Sequence, residues 1–117
     1  MQVIATKITQ NPAIVKFELD EIIVRTENFE FKNIDETQNS PLAKQLFFLP
    51  FVKTVYISGN FIAIEKFSIV EWEDVQEDVA NQINEFISNG GIIIQVDENK
   101  TKKQPITVYA ETTPNPS

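Results

Sequence analysis

The stretch Val52 to Lys66 constrains this chain more than any other. Val55 and Ile57 alternate with polar neighbours on one arm, and Ile62 and Ile64 do so on the other. Alternation with a period of two marks a strand that buries one face. Between the arms, Ser58-Gly59-Asn60 offers residues that tolerate positive φ. The pattern predicts a β-hairpin over residues 52–66.

The flanking elements follow from the same two periodicities. Residues 2–9 (QVIATKIT) read as a short β segment, and Gln10-Asn11-Pro12-Ala13 as a turn, because a residue before proline is pushed away from helix. In Ile14–Leu19, Val15, Phe17 and Leu19 share one face and Lys16 and Glu18 the other. Ile22-Ile23-Val24 is a β-branched run, and Phe29-Glu30-Phe31-Lys32 alternates again. Ser40-Pro41 then opens a helix, with serine as N-cap and proline at the first helical position. Leu42, Leu46 and Leu49 build its apolar stripe with Phe47 beside them, and Pro50 stops it at Leu49 or before. A longer helix spans roughly 70–88, where Trp72, Val75, Val79, Ile83, Phe86 and Ile87 recur at helical spacing and Asn89-Gly90-Gly91 ends the run. Ile92-Ile93-Ile94 reads as one more short strand.

Strands and helices do not alternate singly in this order. The expectation is a single α+β domain over residues 1–96, in the order β-β-α-β-β-α, with a mainly antiparallel sheet and two helices packed on one face. Residues 97–105 (DENKTKKQP) read as a linker, and 106–117 as a β-prone run that begins a second repeat.

Composition enters as a set of exclusions. A chain of 117 residues suggests one domain, burying roughly 65% of its unfolded surface. It has no cysteine and no histidine. A thiolate nucleophile, a disulfide, a Cys/His zinc site and a cysteine-ligated cluster are therefore outside its own means. Ser-His-Asp and Cys-His catalysis are excluded as well. The net charge of −7 argues against nucleic acid and anionic membrane surfaces. No apolar run reaches the ~18–20 residues of a membrane span. The opening MQVIATKITQ lacks a secretory pattern, and the missing cysteines fit the cytoplasm.

The acidity is regional. Residues 67–99 hold eight acids and no Lys or Arg, while the rest of the chain has nine acids and ten bases. Glu73, Asp74, Glu77 and Asp78 fall in the N-terminal half of the long helix, where its dipole favours them. Glu73 and Glu77, and likewise Asp74 and Asp78, form like-charge rows at i and i+4, each costing a few tenths of a kcal/mol. They are the main candidate site, a dock for a basic partner; the plainer alternative is a solvated helix face. A metal site is a weaker reading, since hard cations need about six or more converging oxygens. Phe47, Phe48, Leu49 and Phe51 are too dense to be buried on one side, so Phe48 or Phe51 is a second candidate for partner contact, with Phe47 and Trp72 assigned to the core. The three glycines lack any phosphate-loop spacing.

The two ends of the chain resemble each other. Residues 5–13 align without gaps on 109–117, with Thr9, Asn11 and Pro12 matching Thr113, Asn115 and Pro116. On that reading the chain is a piece of a longer protein, cut as a second copy begins; the alternative is two unrelated Asn-Pro turns. Together, Thr9-Gln10-Asn11-Pro12 followed by Lys16-Phe17, the block Ser40 to Lys66 with its Ser-Pro-Leu-Ala and Leu46-Phe47, the return strand at Phe61-Ile62, and Trp72 with Val79, Ile83, Phe86 and Ile87 resemble the N-terminal domain of Nfu/NifU-like iron–sulfur cluster scaffold proteins over about residues 1–94. Gln10 departs from the family proline and Phe51 from a usual glycine. The resemblance implies a non-enzymatic domain for accessory or partner-recognition work, with no cluster ligands of its own. The iron–sulfur cluster is expected on a separate C-terminal Cys-x-x-Cys domain absent from this chain. The implied partners are other iron–sulfur assembly proteins or recipient apoproteins, met by a monomer. The alternative function is a structural repeat module for protein–protein interaction, unrelated to iron–sulfur assembly.

Overall fold

The computed structural model describes residues 1–95. Its centre is the hairpin, with strands β4 (Val52–Ser58) and β5 (Phe61–Lys66). Ser58 pairs with Phe61, so the turn proper is Gly59-Asn60, and Gly59 takes φ 53°, in the left-handed region that glycine enters without steric cost. Strand β1 (Val3–Ile8) pairs with β2 (Ile14–Leu19), β2 with β5, and β3 (Asn28–Phe31) with β4. All pairings are antiparallel, and the sheet order is β1-β2-β5-β4-β3.

The β1–β2 turn shows why threonine and asparagine occur together there. The Thr9 hydroxyl lies within hydrogen-bonding distance of the carbonyls of Asn11 (2.9 Å) and Ile14 (3.0 Å), sharing its one proton between them, and the Asn11 side chain accepts from the Ala13 N–H (2.9 Å). Such local side-chain bonds fix a turn without any ladder partner.

One face of the sheet is the core. Val15, Phe17, Leu19, Val55, Ile57, Ile62 and Ile64 are all buried, as alternation predicts. They pack against Leu42, Ala43 and Leu46 of helix α1 (Pro41–Leu46) and Trp72, Val79 and Ile83 of helix α2 (Trp72–Ser88). The other face carries Lys16, Glu18, Tyr56, Phe61 and Ala63, with Lys16 Nζ 4.2 Å from the Phe61 ring centre. The structure is thus an α+β domain with a five-stranded antiparallel sheet and two helices on one face, and its order β-β-β-α-β-β-α has one strand, β3, more than the expected β-β-α-β-β-α.

One β-branched run and one expected strand lie outside the sheet. The run Ile22-Ile23-Val24 joins no ladder. The Ile23 and Val24 N–H groups instead share the Gly59 carbonyl (2.8 and 3.2 Å), and Val24 is buried at the hairpin end. Ile92-Ile93-Ile94 is also no strand. It packs back on the start of α1, where the Ile93 carbonyl accepts from Ser40 Oγ (2.6 Å) and the Gln95 N–H donates to the Asn39 carbonyl (2.6 Å). Ser40 is fully buried and also caps α1, accepting from the Ala43 N–H at 3.1 Å. The expected linker at 97–105 and the repeat-like segment 106–117 lie outside the described residues.

Candidate partner-binding face

Helix α2 forms because its apolar residues fall in one stripe; its first residue then pins it to the sheet. Trp72 Nε1 donates to the Ala13 carbonyl (2.7 Å), and the ring stands edge-on to Phe17 and Phe51, with centroids at 5.8 and 6.3 Å. Further along, Asn84 Oδ1 accepts from the Val3 N–H (2.7 Å), tying the helix to β1. Trp72 and Asn84 thus tie both halves of α2 to the sheet and set which side of it faces outward.

That surface carries the predicted acids. Glu73, Asp74, Glu77 and Asp78 are all exposed. Helical geometry separates them into two rows. Glu73 and Glu77 continue toward Asn84, on the β1 side. Asp74 and Asp78 continue through Gln82 and Glu85 to Asn89, on the α1 side. The ion pairs seen among the described residues, Met1–Glu21 (3.5 Å), Lys7–Glu18 (3.8 Å) and Lys53–Glu65 (3.7 Å), leave α2 untouched. The helix has no basic residue at all, and Glu71 at its N-cap makes no side-chain cap bond.

The phenylalanine cluster separates by burial. Phe47 caps α1 and is half-buried against the core. Phe51 is only 8% exposed and packs on Trp72, so it is a core residue and not a contact offered to a partner. It sits where the resembled family usually has glycine, and its ring fills space against the indole. Phe48 is 64% exposed. The backbone turns there, with the Phe48 N–H on the Gln45 carbonyl (3.2 Å) and the Leu49 N–H on the Leu46 carbonyl (3.0 Å), so consecutive side chains cannot all point inward.

Phe48 stands at an open trough of about 570 Å³ between the end of α1 and the last turns of α2. Leu49 and Phe86 supply its apolar lining, Gln45, Gln82 and Asn89 its carboxamides, and Glu85 its charge. Sequence reasoning found Phe48 but missed the trough. Its walls lie over thirty residues apart in the chain, and periodicity reads one helix at a time. The spacing Asp78, Gln82, Glu85, Asn89 was the available signal for one wall.

Among the described residues, no group of three or more Asp, Glu, His or Cys side chains converges to hold a metal ion. No helix among them is long and apolar enough to cross a membrane.

Comparison with known proteins bears on this arrangement. Residues 4–90 match the sequence model of the family "Scaffold protein Nfu/NifU N terminal". The human mitochondrial NFU1 iron-sulfur cluster scaffold homolog is 31% identical over 88 residues, covering 74% of this chain and 35% of that protein. The Arabidopsis thaliana mitochondrial NifU-like protein 5 is 28% identical over 87 residues, covering 74% and 32%. The chain spans about a third of the length of the curated relatives it matches. Among solved structures, the solution structure of a NifU-like protein from Saccharomyces cerevisiae superposes with a TM-score of 0.69 at 24% identity, covering 82% of this chain and 87% of that one. A Staphylococcus aureus crystal structure gives 0.62 at 22%, covering 71% and 99%. Both likenesses are of fold.

Proposed function

Because the chain belongs to the Nfu/NifU N-terminal scaffold family, we propose that it is the non-catalytic, partner-recognising domain of an iron–sulfur cluster scaffold or carrier. The single observation that carries this reading is the outward side of α2. It presents exposed acids on a helix tied to the sheet, and no cation is spent on neutralising them within α2. A fixed array of one sign steers a partner of opposite sign and raises association rate more than affinity.

Ligation is assigned elsewhere. The chain has neither cysteine nor histidine, and carboxylates are poor ligands for an iron–sulfur cluster. The cluster is then held by a separate Cys-x-x-Cys region of the parent protein, and this domain meets the assembly proteins or recipient apoproteins as a monomer. The relatives are named as scaffold proteins, which fits a binding role without catalysis. We keep the cytoplasm as the proposed compartment on the cysteine-free composition. The mitochondrial names of the relatives say where those proteins reside.

The test is charge reversal. With Glu73, Asp74, Glu77 and Asp78 all changed to Lys, association with an iron–sulfur recipient apoprotein, followed by stopped flow, should slow by about tenfold or more at low salt. The wild-type rate should fall as salt rises, because exposed charges are screened. A rate unmoved by both changes would overturn the recognition reading and favour a structural repeat module.

A further inference from the structure

The trough between α1 and α2 has a chemistry of its own. Its apolar part is Phe48, Leu49 and Phe86, and Phe48 is left 64% exposed. Its one charged lining group is Glu85, and Asp78 and Asp74 extend the same helical row outward from it. Gln45, Gln82 and Asn89 add groups that can both donate and accept hydrogen bonds. The nearby cation Lys44 belongs to a different hollow, which it lines with Asp35 and Gln38. The charged lining of the trough is therefore acidic, beside an exposed aromatic ring.

Resting on the recognition reading above, we propose that this trough takes a short basic amphipathic segment of a partner protein. One apolar side chain of the segment seats against Phe48, Leu49 and Phe86, while its Lys or Arg residues face Asp78 and Glu85. The carboxamides meet the segment's polar groups around that anchor. Charge selects this occupant. An anionic lipid surface or a nucleic acid meets repulsion from the acid row, and an acidic segment meets the same. An apolar anchor between basic residues satisfies both halves of the site, as groove-bound helices do with residues at i, i+3 and i+4.

The probe is a synthetic peptide of about 15 residues with lysines at helical spacing and one central phenylalanine, about four helical turns long. It is titrated into the ¹⁵N-labelled chain to roughly 1 mM, the limit of weak specific binding. Amide shifts should cluster at residues 45–49 and 82–89. Phe48→Ser should weaken binding about tenfold or more, as loss of a central aromatic contact does. The same peptide with serine for phenylalanine should lose as much, and a glutamate-for-lysine version should not bind. The paired change Asp78→Lys with Glu85→Lys should also weaken binding, whereas Glu30→Lys, on the far strand, should leave it unchanged.

Shifts confined to the Glu73–Glu77 row, with no effect of Phe48→Ser, overturn the trough and leave acidic recognition standing. Absence of binding at the highest concentration overturns the trough as well. If the four-lysine variant also leaves apoprotein association unmoved, both readings fall. A monomer–dimer equilibrium abolished by Phe48→Ser in sedimentation would make the occupant a second copy and overturn the proposal.

Discussion

The two helices lie on the same face of the same sheet and are held in different ways. Helix α1 is six residues long and depends on a polar device, since Ser40 caps it and also binds the Ile93 carbonyl. Helix α2 is seventeen residues long, begins at a glutamate that caps nothing, and depends on its buried stripe and the Trp72 anchor. A six-residue helix has few internal hydrogen bonds to offset its nucleation, so its cap weighs more than in a long amphipathic helix. The difference has a functional side. Because α2 needs nothing polar on its outward surface to stay in place, that surface is free to carry acids, including two unfavourable i, i+4 rows.

Four substitutions probe how these regions are held. The largest effect belongs to Trp72→Ala, which removes a ring packed between Phe17 and Phe51 and should cost about 3–5 kcal/mol in urea unfolding. Ser40→Ala comes next, at about 1–2 kcal/mol, because it removes a cap and leaves the buried Ile93 carbonyl short of a donor. If Ser40→Ala proved the costlier of the two, the account of α2 would be wrong. Glu71→Ser supplies the cap that α2 lacks and should stabilise by about 0.5–1 kcal/mol, seen as a higher urea midpoint at unchanged slope. Phe48→Ser should change stability by no more than about 0.5 kcal/mol, because the ring is already in water. A larger loss would make Phe48 a core residue and remove it from the binding surface.

Much of this was legible in the sequence, for a definite reason. The alternation of Val15, Phe17 and Leu19, of Val55 and Ile57, and of Ile62 and Ile64 is a direct record of one buried face, and each of these residues is buried. The 3.6-residue period of α2 is equally direct. The family resemblance, carried by the Ser40–Lys66 block, agrees with the matched range of residues 4–90. Ile92–Ile94 departs from the expected strand because β-branched residues also pack as plugs outside any ladder, and which of the two they do is set by tertiary contacts, here with Asn39 and Ser40. Phe48 and Phe51 could not be told apart for a related reason. Which of two nearby aromatics turns inward is set by the backbone after Leu46 and by the position of Trp72, neither of which leaves a local pattern. The trough joins residues far apart in the chain and was out of reach altogether.

The proposal above divides the labour, with partner recognition in this domain and cluster ligation in another region of the parent protein. Anaerobic incubation of the purified chain with iron and sulfide, followed by desalting and visible absorption spectroscopy, tests it most directly. The chain should emerge colourless, with no bound iron or sulfide. A stable visible chromophore that stays with the chain would contradict that division.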